Sequence, residues 1–204
     1  MPKLVWKPGT LLAPVPPALV SCGTLEKPNT FTVAWTGIVN TNPAMTYISV
    51  RPERYSYGLI RESGEFAVNL TTTALVRAAD FCGVRSGRDL DKFAACKLTP
   101  EAAAEISAPL IAESPLSLEC RVERMLELGT HHMFLAKIVA IDVDPKLVDK
   151  AGRLNLGAAG LAAYAHGEYF ELGRQIGTFG FSVRKKPARK KSRPKRGGKG
   201  SPDA

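Results

Sequence analysis

The stretch LSLECRVERMLELGTHHMFLAKIVAIDV, residues 116–143, contains the two longest β-prone segments of the chain. They are Leu116–Leu128 and Met133–Val143, and Gly129-Thr130-His131-His132 joins them. Apolar and charged residues alternate along the first segment, as expected when successive side chains point to opposite faces of a sheet. The stretch therefore predicts a long antiparallel pair of strands.

Shorter elements flank this pair. β-Branched and aromatic residues predict strands, and a Ser or Thr at the start of an apolar pattern predicts helices. The predicted strands are Ala18–Cys22, Phe31–Trp35, Met45–Val50 and Phe66–Leu70, and the predicted helices are Ser56–Glu62, Thr73–Cys82 and Thr99–Glu105. Many short strands with few short helices predict a mainly β fold, a β-barrel with helical insertions.

The formal net charge of +9 is unevenly distributed. Residues 184–204 carry ten basic side chains and one acidic one, which leaves 18 of the 28 basic and 18 of the 19 acidic residues in 1–183. We therefore divide the chain into a neutral domain, 1–183, and a basic tail, 184–204, expected to be disordered. The tail could bind an anionic partner such as nucleic acid or acidic lipid, or could simply aid solubility.

Several classes of protein lose support. No apolar stretch is long enough to span a bilayer and the N-terminus lacks a signal peptide, so we expect a cytoplasmic protein without membrane insertion. The four cysteines fit no zinc or iron–sulfur spacing and are expected to be reduced. The motifs GxGxxG, GxxxxGK[ST], HExxH and GxSxG are absent.

Five motifs in series resemble the flavin reductase-like, FMN-binding split-barrel family, and within it the chain is most similar to flavoredoxins. The similarity runs from about Thr10 to Lys185. The motifs are TVAWTGIVN at 32–40, SVRPERYSY at 49–57, CGVRSGRDLDKF at 82–93, PLSLEC at 115–120 and GTHHMF at 129–134, with Pro43 and Phe181-Ser182 as further matches.

The resemblance implies a homodimer that holds FMN without a covalent bond in a groove between subunits. It implies that the turn from Thr32 to Asn40, with Trp35 and Thr36, lies along the isoalloxazine ring. Other residues would bind the phosphate and ribityl groups or close the site. Those residues are Arg54, Tyr55, Ser56 and Lys92 for the first role, and His131 and Tyr164 for the second.

Local chemistry is compatible with these roles but leaves alternatives open. Arg54-Tyr55-Ser56 follows a strand and begins a helix, where backbone N–H groups and an arginine suit a phosphate, although Ser56 could be only a helix cap. Gly37 permits close backbone approach to a flavin, although Trp35 could be only a buried strand residue. Lys92 stands in a charged segment that could equally be a solvated loop.

His131 and His132 could suggest a metal site at the tip of the long hairpin. Neighbouring residues of a strand point to opposite faces, so both cannot easily bind one ion. We therefore expect no metal, and one histidine facing the flavin.

The expected function is an FMN-binding redox protein, either an NAD(P)H-dependent flavin reductase or a flavoredoxin-type carrier with a redox-protein donor. The sequence identifies no catalytic acid or base. The alternatives are a non-catalytic flavin-binding module and a protein that binds nucleic acid through its basic tail.

Overall fold

Strands of the long hairpin lie near the centre of an antiparallel sheet in this computed structural model, which describes residues 1–184. The strands are β1 Ala18–Gly23, β2 Pro28–Val33, β3 Thr36–Asn40, β4 Met45–Val50, β5 Glu65–Asn69, β6 Pro100–Glu101, β7 Leu110–Ile111, β8 Leu116–Glu127, β9 His132–Val143, β10 Ala162–Ala165 and β11 Glu168–Glu171. The helices are α1 Tyr55–Ser63, α2 Val76–Val84 and α3 Lys92–Cys96, with short 3-10 turns at Thr73–Leu75, Pro145–Leu147, Leu156–Ala158 and Phe181–Val183.

Seven strands form the main sheet in the order β2-β1-β5-β8-β9-β4-β3. The β8–β9 pairing confirms the predicted antiparallel hairpin, from Leu116 opposite Val143 to Glu127 opposite His132. Its register shifts twice, between Glu119 and Cys120 and between Val122 and Arg124. Such bulges bend strands and increase their twist, which helps the sheet to curl. The mainly β fold with short helices agrees with the prediction.

The core has two parts because β1 is buried on both faces. Val20 packs on one face with Phe31, Ile48 and other buried side chains, whereas Leu19 packs on the other face with residues of α2 and α3. A strand covered on both faces needs apolar residues at nearly every position, which explains why Ala18–Cys22 is apolar except for Ser21, whose buried hydroxyl donates to the Pro109 carbonyl.

Three predicted elements end or begin elsewhere than expected. The strand expected at Phe31–Trp35 ends at Val33, as β2, and Ala34 and Trp35 form a bend before β3. Helix α1 begins at Tyr55 rather than Ser56, and no side chain caps its N-terminus. The helix predicted at Thr73–Cys82 starts as a 3-10 turn and continues as α2 to Val84.

The helix predicted at Thr99–Glu105 is wrong. Pro100–Glu101 is instead the short strand β6, paired with β7. The buried carboxylate of Glu119 accepts hydrogen bonds from the backbone N–H groups of Ala104, Glu105 and Ile106 at 2.7–3.1 Å. This distant acceptor satisfies N–H groups that a helix would otherwise have used, so the segment wraps around Glu119.

Residues 1–173 form one compact unit, and a second begins at Arg174. The described part of the second unit ends at Arg184 and contains the Phe181–Val183 turn. The predicted boundary at 183 stays a prediction, and the tail lies outside the described residues apart from Arg184. Within residues 1–184, none of the helices has the length and apolar character needed to cross a membrane.

Candidate functional site

Strand ends and one helix start converge on a cleft of about 160 Å³, called here the arginine cleft. The end of β2 and the bend after it form one wall, and the end of β4 leads into the opposite wall. Its lining residues are Phe31, Thr32, Val33, Ala34, Trp35, Ser49, Val50, Arg51, Arg54 and His131. Four predicted site residues, Thr32, Trp35, Arg54 and His131, therefore lie together.

Positive charge concentrates at the end of β4. Arg54 occupies the N-cap position of α1 and Arg51 lies three residues before it, where the Arg54 backbone N–H donates to the Arg51 carbonyl at 3.0 Å. Arg51 also contacts Glu53 at 3.6 Å, in an exposed ion pair. Two guanidinium groups beside a helix N-terminus without a side-chain cap make a favourable site for an anion.

The two histidines of the hairpin tip face different surroundings, as predicted, although only His132 lies in a strand and His131 precedes β9. His131 lines the arginine cleft, and burial lowers its pKa, with Arg51 and Arg54 lowering it further against the opposing charge of Glu53. The ring of His132 instead meets Tyr57, whose hydroxyl lies 2.8 Å from His132 Nδ1. His131 is therefore the histidine available to a ligand in this cleft.

A second cleft, of about 420 Å³, shares Trp35 with the first and is called here the tryptophan cleft. Its other lining residues are Thr10, Leu11, Leu12, Ala13, Val15, Tyr164, His166 and Gly167. Tyr164 is held by a pair of backbone hydrogen bonds to Val15, at 2.8 and 2.9 Å. The predicted residues Trp35 and Tyr164 thus lie in one cleft, and Trp35 also lines the arginine cleft.

Ser56 and Tyr55 follow Arg54 but lie in different environments. Ser56 is buried, and its hydroxyl accepts a hydrogen bond from Asn29 Nδ2 at 2.8 Å rather than capping the helix. Tyr55 lines a third cleft with Asn29 and Gly87. A Cβ on Gly87 would lie 2.1 Å from Asn29 Oδ1 and 2.9 Å from the Tyr55 ring, so glycine is required for this close approach.

Lys92 is not in a solvated loop. It is the first residue of α3, only 3% exposed, and its ammonium donates to the Cys82 carbonyl at 3.0 Å. Burial lowers the pKa of Lys92, and the charge of Arg54 lowers it further, while Cys82 opposes this effect. Lys92 is therefore a buried positive charge that interacts electrostatically with Arg54 but does not line the arginine cleft.

Thr36 and Asn40 were predicted to lie in a turn, but the structure places both in strand β3. The Thr36 hydroxyl donates to the Tyr47 carbonyl at 2.6 Å, and the exposed Asn40 amide donates to the Pro43 carbonyl at 3.0 Å. Neither residue lines the arginine or the tryptophan cleft. The error arose because Gly37 was taken as a turn residue, although β3 pairs with β4 through it.

Sequence reasoning missed three contributors to these clefts. Arg51 carries a visible signal, since it stands three residues before Arg54 at a predicted strand end. Asn29, which holds Ser56, gave no local signal because its partner lies 27 residues away. The segment from Thr10 to Val15 also gave no local sequence signal, since its position depends on pairing with β10.

The described residues contain no group of three or more His, Cys, Asp or Glu side chains arranged to hold a metal ion.

Comparison with known proteins agrees with the fold and the resemblance. A model of the flavin reductase-like domain matches residues 11–173. The structure of a flavoredoxin from Desulfovibrio vulgaris (Miyazaki F) is 29% identical, with a TM-score of 0.82 over 89% of this chain and 100% of that one. A flavoredoxin from Methanosarcina acetivorans is 26% identical, with a TM-score of 0.80 over 90% of this chain and 100% of that one.

Curated relatives are matched over part of their length. A protein of Archaeoglobus fulgidus is 32% identical over 117 residues, which are 57% of this chain and 66% of the relative. A protein of Aeropyrum pernix is 34% identical over 132 residues, which are 64% of this chain and 50% of the relative. The predicted family and split-barrel fold are confirmed by the domain match and the structural neighbours, and the chain belongs to the flavin reductase-like domain family.

Proposed function

We propose that this protein binds FMN as a redox cofactor and acts either as an NAD(P)H-dependent flavin reductase or as a flavoredoxin-type electron carrier. The observation that carries the proposal is the arginine cleft, which joins two guanidinium groups, an uncapped helix N-terminus and the Trp35 side chain. FMN combines a phosphate with an aromatic ring, so it needs both kinds of surface.

The dimensions of the two clefts support this choice. The arginine cleft, at about 160 Å³, is smaller than the roughly 300–1,000 Å³ typical of ligand pockets. The tryptophan cleft, at about 420 Å³, is within that range, and both include Trp35. A cofactor longer than either cleft would occupy both of them, with its anionic end beside Arg54 and the remainder extending past Trp35 into the tryptophan cleft.

Each residue has a role that follows from its surroundings. Arg54 and Arg51 bind the phosphate, with Lys92 adding positive charge from the interior. His131, its pKa lowered, is neutral near pH 7 and can donate one N–H without adding charge. Trp35 and Tyr164 exclude water from the ring. Thr32 joins β2 to α2, Thr36 joins β3 to β4, and Asn40 fixes the connection between β3 and β4.

Bound FMN would supply the hydride and one-electron transfer chemistry that the proposed function needs. The chain contributes binding, orientation and exclusion of water. In the reductase version the electrons come from NAD(P)H, and in the carrier version they come from another redox protein.

The predicted homodimer is part of the same proposal. The arginine cleft is open and small, and a groove completed by a second copy would enclose more of the cofactor. Closing such a site also strengthens the electrostatic interactions inside it, because water is removed from around the charges.

Substitution of Arg54 tests the binding site. We expect Arg54→Gln to weaken FMN binding by about 10- to 100-fold, because a charge-assisted hydrogen bond contributes about 1.5–3 kcal/mol. The measurement is a flavin-fluorescence titration at fixed salt. Arg124→Gln is the matched control, since it removes the same charge from an exposed position on β8. Equal affinities for both variants would argue against a phosphate at Arg54.

Reduction kinetics distinguish the two versions of the function. Anaerobic stopped-flow mixing of the FMN-loaded protein with NADH or NADPH should bleach the flavin absorbance if the protein is a reductase. Slow or absent bleaching, with rapid reduction by a redox protein of low potential, would identify the carrier. A protein that binds no added flavin would refute both versions.

A further inference from the structure

Two cysteines lie in contact at the junction of α2 and α3. Cys82 Sγ in α2 and Cys96 Sγ in α3 are 3.7 Å apart, and both thiols are free. Only fourteen residues separate them along the chain. A disulfide requires a sulfur–sulfur distance near 2.05 Å, so a movement of less than about 2 Å would join them.

The two thiols differ in their access to solvent. Cys82 is fully buried, whereas Cys96 is partly exposed and lines a cleft of about 500 Å³. This cleft, called here the cysteine cleft, also contains Arg77, Lys97 and Glu113. Both oxygens of Glu113 accept from the Thr99 backbone N–H at 3.0–3.1 Å. Arg77 and Lys97 outnumber Glu113 in this lining, which favours an anionic partner, and a thiolate is the attacking nucleophile in disulfide exchange.

We propose that Cys96 and Cys82 form a dithiol–disulfide couple that is oxidised by small anionic disulfides entering the cysteine cleft. The Cys96 thiolate attacks one sulfur of the disulfide RSSR, forms a mixed disulfide and releases one thiolate, RS⁻. Cys82, after losing its proton, then attacks the Cys96 sulfur and releases the second RS⁻. Two protein thiols are oxidised to one disulfide, and one RSSR is reduced to two RSH after protonation.

The order of attack follows from burial. Desolvation raises the pKa of Cys82 to about 12, with the neighbouring Cys96 raising it further, so Cys82 is a poor first nucleophile. Its place next to Cys96 nevertheless suits it to resolve a mixed disulfide, since the reacting sulfur is delivered to it. The remaining cysteines, Cys22 and Cys120, are fully buried and have pKa values raised to about 11 and about 12. Exchange should therefore be confined to one pair.

The pair is also linked to the proposed cofactor site. The Cys82 carbonyl accepts the hydrogen bond of the Lys92 ammonium, and Lys92 lies in α3 with Cys96. A disulfide would close a loop that contains Lys92. The redox state of the pair therefore bears on the position of that buried charge.

Oxidised glutathione is the probe, because it is a small disulfide with several carboxylates. Full-length reduced protein is incubated with it, alkylated in acid-quenched samples, and examined by intact mass and peptide mapping. We expect the protein to lose the mass of two hydrogen atoms, and Cys82 and Cys96 alone to be protected from alkylation. Dithiothreitol should reverse both changes fully.

Variants that each lack one cysteine test the proposed order of attack. Cys82→Ser should accumulate a stable glutathionyl adduct on Cys96, because the resolving thiol is missing. Cys96→Ser should stay unmodified, since Cys82 is buried, and circular dichroism checks that both variants fold. Cys22→Ser is the matched control and should form the disulfide like the wild type.

Three results would overturn the proposal. They are a stable mixed disulfide in the wild-type protein, a crosslink between two chains on a non-reducing gel, and modification at Cys82 in the Cys96→Ser variant. Cystamine, a cationic disulfide, should react more slowly than oxidised glutathione, and a faster reaction would refute the preference for anions.

Discussion

Asp142 and Glu119 form a pair of carboxyl groups that share a region of low solvent access. Glu119 is fully buried and accepts three backbone N–H groups, while one oxygen of Asp142 has no hydrogen-bond partner within residues 1–184. Burial raises the pKa of Asp142 to about 6, helped by its hydrogen bond with Glu119 and by the charges of Glu119 and Glu101. Asp142 therefore holds a proton that the unfolded chain releases nearer pH 4.

This pair predicts a dependence of stability on pH. The folded state binds more protons than the unfolded state between about pH 4 and 6, so stability falls as pH rises through the raised pKa. Asp142→Asn cannot ionise, and we expect it to be about 1 kcal/mol more stable than the wild type at pH 7 and nearly equal at pH 4. The expected gain is small because Asp142 is partly exposed and solvent screens it.

Urea unfolding at pH 4, 5, 6 and 7 measures the effect. Glu62→Gln is the control, since it removes an exposed acid from α1 and should show no such gain. A constant difference between Asp142→Asn and wild type at every pH would contradict a raised pKa for Asp142.

Residues of the candidate site were predictable where chemistry and position coincide. Arg54 at a strand end and Trp35 before a glycine both line the arginine cleft. The sequence predicted that His131 and His132 face apart, but only tertiary packing identifies which of them meets Tyr57. The burial of Lys92 was not predictable, because it depends on a contact with Cys82 between two helices.

Helix α1 offers a matched pair of glycines with opposite expected effects. Gly58 lies exposed within the helix, whereas Gly64 ends it with a φ of 70°, and neither has a heavy atom within 4 Å of an added Cβ. Gly58→Ala should stabilise by about 0.5–1 kcal/mol, since alanine has the better helix propensity. Gly64→Ala should destabilise by about 1–2 kcal/mol, since the left-handed conformation strains a Cβ.

Chemical denaturation of both variants checks this, and FMN affinity should be unchanged, since neither glycine lines the arginine cleft. Effects of the same sign would mean that α1 does not end in a left-handed residue at Gly64.

Elements were predictable in proportion to their internal periodicity. The β8–β9 hairpin and β4 follow from alternation alone, and the structure confirms both within one or two residues. The Thr99–Glu105 helix failed although Thr-Pro-Glu is a good start signal. The buried Glu119 carboxylate competes for the same backbone N–H groups, and it comes from a strand that sequence periodicity cannot position next to them.

At the scale of the whole molecule, net charge and exposed apolar surface both bear on whether copies of the chain associate. The positive charge comes from the tail, so residues 1–183 have no net charge to keep copies apart. Strand β3 ends the seven-stranded sheet in the part of the chain that the structure describes, and it exposes Ile38 and Val39 by 69% and 54%. Natural monomers usually protect such an edge with charge, proline or a bulge. Strand β3 contains no charged residue or proline, although its register with β4 shifts between Ile38 and Asn40.

This exposed edge leads to a prediction about assembly. If a second copy covers it, light scattering should give a mass about twice the 22.0 kDa of the chain. Placing two acids on β3, as Ile38→Glu with Val39→Glu, should shift the mass toward one chain, because burying a charge without a partner is unfavourable. The same changes at Leu4 and Val5, also exposed, are the matched control. A dimer that survives the β3 changes but not the control would move the interface to the N-terminal segment, and a monomeric wild type that still binds FMN tightly would mean that one copy suffices to hold the cofactor.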